Sequence, residues 1–210
     1  MTQPGGEDAS AGRGWRPGGF AAALAAILVA AALVQAWPGA PGAMEFRRAG
    51  IAAGQWWRLL TGNLVHFSWL NLAANAAAFA LLCAVARSRG LPAISVLVGF
   101  ALAVGLGVYL FARGIESYRG LSGVSFALLA MVLVDMALAR RSAVSAVWVG
   151  VLALLAGRAV FEAATGRALL PTSLPAGPCV VGAAHLAGLA AGSAAGLAQA
   201  ARRRRAPAPA

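Results

Sequence analysis

The chain has 210 residues, 60% of them hydrophobic and only 11% charged, with a net charge of +11. Soluble domains carry about 25% charged residues, so a soluble globular fold is excluded, and repeated apolar runs of about 20 residues point to an all-α polytopic membrane protein. All 17 basic residues are arginines clustered at the ends of those runs, a pattern of membrane topology rather than of a nucleic-acid partner.

Taken in order, residues 1–19 are rich in Gly, Pro and charge and are expected to form a disordered cytoplasmic tail. A six-helix membrane domain is expected over 20–200, followed by a basic cytoplasmic tail over 201–210. The first span, Phe20 to Trp37, follows Arg13 and Arg16 as a signal peptide would. Its apolar run exceeds a signal-peptide core, and Trp15 and Trp37 bracket it as interface anchors, so it reads as a retained span. Residues 38–62 hold Met44, Arg47, Arg48, Trp56, Trp57 and Arg58. They are too polar to span and too aromatic for a plain linker, and are expected to lie as an interfacial loop in the outer leaflet.

Span two is expected from Asn63 to Val85, ahead of Arg87 and Arg89. Span three covers Pro92 to Phe111, and span four covers Leu121 to Ala139, closed by Arg140 and Arg141. Span five covers Ala143 to Phe161. A Pro- and Gly-rich loop over 162–179 leads to span six, Val180 to Ala200, and then to Arg202 through Arg205. With the N-terminus inside, ten arginines fall on the inner segments and seven on the outer ones, which places both termini in the cytoplasm. The two cysteines, Cys83 and Cys179, are far apart and lack metal spacing. Neither a disulfide nor a metal site is expected, nor any cofactor.

Polar groups inside hydrocarbon are costly and mark candidate sites. Ser122 opens span four between Gly120 and Gly123. The flanking glycines remove bulk around one hydroxyl, and a helix N-terminus offers unpaired N–H groups to an oxyanion. His185 lies a short way into span six, with Gly188, Gly192 and Gly196 on the same helical face. That nearly bare face lets a neighbouring helix approach closely. Ser122 and His185 stand at similar depth near the outer face, so they can meet as nucleophile and general base.

No carboxylate is placed to join them: Glu116 lies in the loop before the serine, and Asp135 lies about 20 Å further along, at 1.5 Å per residue. A Ser–His dyad is therefore expected, with Asp135 pairing to inner-face arginines such as Arg87 or Arg140. Asn71 and Asn75 share a face of span two, either as packing contacts or as oxyanion donors. His66 is expected at a loop–helix junction in a structural hydrogen bond.

Trp56-Trp57-Arg58, His66-Phe67-Ser68 with Asn75, Gly120-Leu121-Ser122-Gly123, and Ala184-His185-Leu186-Ala187-Gly188 with Gly192 occur in this order. The set resembles the rhomboid intramembrane serine proteases over about residues 20–200. The resemblance implies Ser122 as nucleophile, His185 as base and Asn75 as the oxyanion asparagine. It also implies Phe126 packed on the histidine, and Trp57 and Arg58 as structural elements of the first loop. Asn71 stands where many rhomboids carry a histidine.

Tyr118 before Gly-Leu-Ser-Gly, Phe161-Glu162 with Gly166, and the compact core are similar to the rhombosortase branch, although Ser125-Phe126 stands where that branch has Leu-His. This implies a bacterial inner-membrane enzyme with its site facing the periplasm. Its partners would be the bilayer and single-pass or C-terminally anchored protein substrates. A non-catalytic helix-binding scaffold of the same fold is the alternative; it predicts loss of the serine or histidine, and both are present.

Overall fold

In lipid only a helix satisfies every backbone polar group within one segment, and the apolar runs of this chain fold accordingly. A computed structural model describes residues 17–92, 94–139, 143–167, 169 and 182–205. The element order is α1 (Pro17–Ala36), α2 (Ala40–Met44), β1 (Phe46–Arg47), α3 (Arg48–Ala52), α4 (Arg58–Thr61), α5 (Trp69–Ser88), α6 (Leu97–Phe111), β2 (Ser117–Tyr118), α7 (Ser122–Ala139), α8 (Ala143–Thr165) and α9 (Gly182–Arg205). Cys179, Arg140, Arg141, residues 1–16 and most of the 162–179 connection lie outside the described residues.

Four helices are long and apolar enough to cross a membrane: α1, α5, α7 and α8. The helices at the third and sixth expected spans fall short of that measure. α6 has 15 residues, and the sequence of α9 is diluted by glycines, His185 and a terminal run of four arginines. Several boundaries move. α5 starts at Trp69 rather than Asn63, because Ser68 caps it by accepting from Asn71 N–H at 3.1 Å. α6 starts at Leu97 rather than Pro92. α8 runs on to Thr165 rather than stopping at Phe161, so the stretch 162–165 is one more helical turn instead of loop. The described part of the N-terminal helix reaches back to Pro17, inside the expected tail.

The serine helix α7 stands at the centre and is mostly buried, while α1 and α8 turn most of their surface outward. Its most extensive contact is with α9. Phe79, Cys83, Phe100, Val124, Leu128 and Met131 join α5, α6 and α7 in the main core cluster. Along α9, glycines set the separation from α7. A Cβ on Gly188 would stand 2.1 Å from Gly123 O, one on Gly192 1.9 Å from Ala127 O, and one on Gly196 2.9 Å from Val134 Cβ. Side chains at these positions would push the two helices apart, which is why the seam is built from residues without them.

The first loop is ordered by arginines that find backbone acceptors. Arg48 donates to Ile115 O at 3.0 Å, Tyr109 O at 2.7 Å, Val108 O at 3.0 Å and Ala112 O at 2.9 Å. It thus closes the carbonyl end of α6. Arg58 is buried and donates to Glu45 O at 2.9 Å and Gly42 O at 2.8 Å. Trp56 and Trp57 remain more than half exposed, at 58% and 53%, as surface anchors would. β1 and β2 pair antiparallel, with Phe46 opposite Tyr118 and Arg47 opposite Ser117. That short ladder fastens the first loop to the chain just ahead of Ser122.

At the other end of the bundle, Asp135 accepts from Arg89 Nε at 2.6 Å and Arg203 Nη1 at 2.7 Å. The expectation that Arg87 pairs with it is wrong: Arg87 lies over the Phe20 ring, 4.8 Å from its centroid, while Arg89, closing α5, and Arg203, near the end of α9, come within reach of Asp135.

Candidate active site

The turn leading into Ser122 is held from three sides. Glu45, buried in the first loop, accepts from Arg119 Nε at 2.6 Å. Tyr118 donates its hydroxyl to Gly120 O, and Gly120 N–H donates to Gly62 O at 3.2 Å. His66 receives Leu121 N–H on Nε2 at 3.4 Å, while its Nδ1 faces Leu64 O at 3.0 Å. Burial lowers the His66 pKa below its ordinary value, partly offset by the Leu64 carbonyl. A neutral ring with its proton on Nδ1 satisfies both contacts. Gly120 has φ +118, a conformation that side-chain-bearing residues rarely adopt. Burial likewise raises the Tyr118 pKa, so this hydroxyl keeps its proton to donate.

Ser122 opens α7 and is partly accessible. Its Oγ lies 3.1 Å from His185 Nε2. Gly123 makes this approach possible on the α7 side, since a Cβ there would stand 2.7 Å from Val104 Cγ1 and 3.2 Å from Ala184 O. Phe126, one turn on, stacks on the His185 ring, with centroids 4.2 Å apart and planes 9° from parallel. The imidazole is thereby fixed in plane, and its two nitrogens point in opposite directions.

The second nitrogen meets a group placed in the loop from sequence alone. His185 Nδ1 lies 3.0 Å from Glu162 Oε2. Glu162 is fully buried, and its other oxygen accepts from Arg158 Nε at 2.9 Å and from Leu169 N–H at 3.4 Å. The expectation that no carboxylate stands beside the histidine is therefore corrected. The added turn of α8 carries Glu162, and Gly182 lets the start of α9 press against that turn. A Cβ on Gly182 would stand 2.3 Å from Ala163 N and 2.6 Å from Ala159 O. The available signal was the spacing of Arg158 and Glu162, four residues apart, which pairs opposite charges on one helix. Arg158 also lies 5.9 Å from the centroid of the Phe126 ring.

The other residues singled out from sequence divide into three groups. Gly188 and Gly192 form the seam below His185. Asn75 donates Nδ2 to Asn71 O at 2.9 Å within its own helix. Trp57 donates Nε1 to Ala43 O at 3.2 Å, and Arg58 is likewise spent on the first loop; both hold the fold away from the serine.

A hydroxyl within hydrogen-bond distance of an imidazole that is oriented by a third group is the arrangement of an activated nucleophile. Among the described residues, no group of three His, Cys, Asp or Glu could hold a metal ion. No curated protein matches the chain. A family model described as Rhomboid domain matches residues 53–202, which include α4 to α8 and all but the last three residues of α9. With that match over well more than half its length, the chain belongs to the rhomboid family of intramembrane proteases.

Proposed function

We propose that this multi-pass membrane protein is a serine endopeptidase that cuts membrane-anchored substrates, with Ser122 as nucleophile and His185 as general base. The observation that carries the reading is the 3.1 Å separation of Ser122 Oγ and His185 Nε2. Ser122 gives its proton to Nε2 as Oγ attacks the scissile carbonyl. The tetrahedral oxyanion rests on first-turn N–H groups of α7, which have no acceptor inside the helix. The Asn75 amide joins them with its second N–H, the first being held by Asn71 O. As the C–N bond breaks, Nε2–H passes its proton to the leaving amine. Water then gives a proton to Nε2, attacks the acyl-enzyme and returns Oγ to the hydroxyl.

The substrate segment must unwind first, because helical carbonyls are hydrogen-bonded and shielded; small residues make that local unwinding cheaper. Six spans, both termini in the cytoplasm and a site facing the periplasm of a bacterial inner membrane complete the reading, supported by the arginine distribution. The features around Tyr118 and Phe161-Glu162 favour the rhombosortase branch, and hence the C-terminal anchors of exported proteins as substrates. In a membrane preparation carrying a reporter with a C-terminal transmembrane tail, Ser122→Ala is expected to abolish cleavage at unchanged expression. Labelling by a fluorophosphonate is expected to vanish with it. Continued cleavage by the variant overturns the assignment of Ser122, and absence of labelling in the unmodified protein favours a helix-binding scaffold.

A further inference from the structure

Glu162 is completely buried, yet it is a carboxylate on a helix that otherwise turns mostly apolar surface outward. A buried charge is tolerated only where partners meet it, and here both oxygens are engaged. Oε1 takes Arg158 Nε at 2.9 Å and Leu169 N–H at 3.4 Å. Oε2 faces His185 Nδ1 at 3.0 Å. A carboxylate accepts and does not donate, so Nδ1 must carry the proton in this contact. The lone pair of the neutral ring then lies on Nε2, which is the nitrogen that faces Ser122.

We propose that Glu162 is a positioning residue for His185, holding the proton on Nδ1 and steadying the imidazolium formed during attack, with Arg158 as its counter-ion. This extends the reading of Ser122 and His185 as nucleophile and base from a pair to a three-member chain. The proton on Nδ1 stays there throughout. The proton taken from Ser122 sits on Nε2 and leaves with the amine, so no net transfer to Glu162 occurs. Arg158 and Phe126 complete the enclosure. Arg158 neutralises Glu162 from the side away from the ring, and Phe126 covers one face of the imidazole.

The substitution Glu162→Gln tests the direction of the proton. Arg158 and Leu169 N–H both donate to the position of Oε1, so the glutamine oxygen is drawn there and its NH2 group turns to His185. Nδ1 must then accept, which moves the ring proton to Nε2 and leaves Ser122 facing a donor. The chain has only two histidines, so 15N-histidine labelling of the full-length protein in detergent micelles gives two imidazoles, assigned with His185→Gln.

The expected result is Nδ1–H for His185 in the unmodified protein and Nε2–H in Glu162→Gln. The variant is also expected to lose about 10²- to 10⁴-fold in kcat, by analogy with carboxylate-to-amide changes in serine proteases, with KM within about threefold. Glu162→Asp, which keeps the charge, is expected to recover at least about tenfold of that loss. The inference is overturned if the unmodified protein shows Nε2–H. It is equally overturned if Glu162→Gln keeps kcat within about threefold, or loses rate while its proton stays on Nδ1. Should Glu162→Gln not fold, the unmodified protein's tautomer and the rate of Glu162→Asp decide. If Ser122→Ala and His185→Gln still cleave, the reading of these two as nucleophile and base fails, whereas the tautomer of the resting protein judges Glu162 independently of any substrate.

Discussion

A buried carboxylate stands at each end of the α7–α9 pair, Asp135 on α7 and Glu162 on α8, and the two serve differently. At one end, Asp135 meets two arginines from elsewhere in the chain, Arg89 and Arg203. Its charge is more than balanced, and its work is to tie the end of α5, α7 and the end of α9 together. At the opposite end, Glu162 meets one arginine and one imidazole. In the proposed mechanism the imidazole becomes positively charged during attack, and Glu162 stands where it can stabilise that charge. The lesson is that burial and ion pairing alone do not mark a functional acid. The partner that can change its own charge does.

The largest effect expected from this contrast is on catalysis. Ser122→Ala removes the proposed nucleophile, and a drop of three orders of magnitude or more in reporter cleavage is expected; Asp135→Asn, at the other end, should stay within about threefold of the unmodified rate. A catalytic loss in Asp135→Asn as large as that of Ser122→Ala would erase the distinction between the ends.

Next in size is the seam that joins them. Gly192→Ala places a Cβ 1.9 Å from Ala127 O, a backbone atom that cannot swing aside. It is expected to cost about 1–3 kcal/mol and to lower cleavage with it. Gly99→Ala, on α6 with open space around its Cβ, should be neutral or stabilising by up to about 1 kcal/mol. Thermal unfolding in detergent alongside the cleavage assay compares the pair.

For Asp135→Asn the same unfolding measurement should fall by about 1–3 kcal/mol, since two arginines lose their charged acceptor.

The smallest effect concerns pH. The His66 pKa is lower in the fold than its ordinary 6.5, so the unfolded chain takes up a proton first as pH drops. Stability attributable to His66 is full above about pH 6.5 and is lost as pH falls through its lowered folded value. His66→Asn should flatten that slope in unfolding measured across this range. An unchanged slope would show that the Leu121 N–H contact is not pH-sensitive.

Much of this was legible in advance because the signals are strong ones. Apolar runs ending in arginines locate helices, and glycines at Gly188 and Gly192 beside a lone histidine announce a close seam. What escaped the sequence depends on boundaries and on which partner wins. Apolar character ends at Phe161, so Glu162 read as loop, although the helix continues because its pair with Arg158 satisfies the charge within it. Asn71 and Asn75 share a face as expected, but the Asn75 amide is held by its own helix. Arg87 and Arg89 are two residues apart and equivalent in composition; Arg87 lies in the last turn of α5 and meets Phe20, while Arg89 follows the end of the helix and meets Asp135.

The shortness of α6 has its own reach. Fifteen residues make a rod about 22 Å long at 1.5 Å per residue, against roughly 30 Å of hydrocarbon. Arg48 gathers four carbonyls at its end, so the helix stops there with its polar groups already answered. A helix of that length is shorter than the hydrocarbon layer a spanning segment has to cross. A bilayer that α6 crossed from end to end would therefore have to thin beside it.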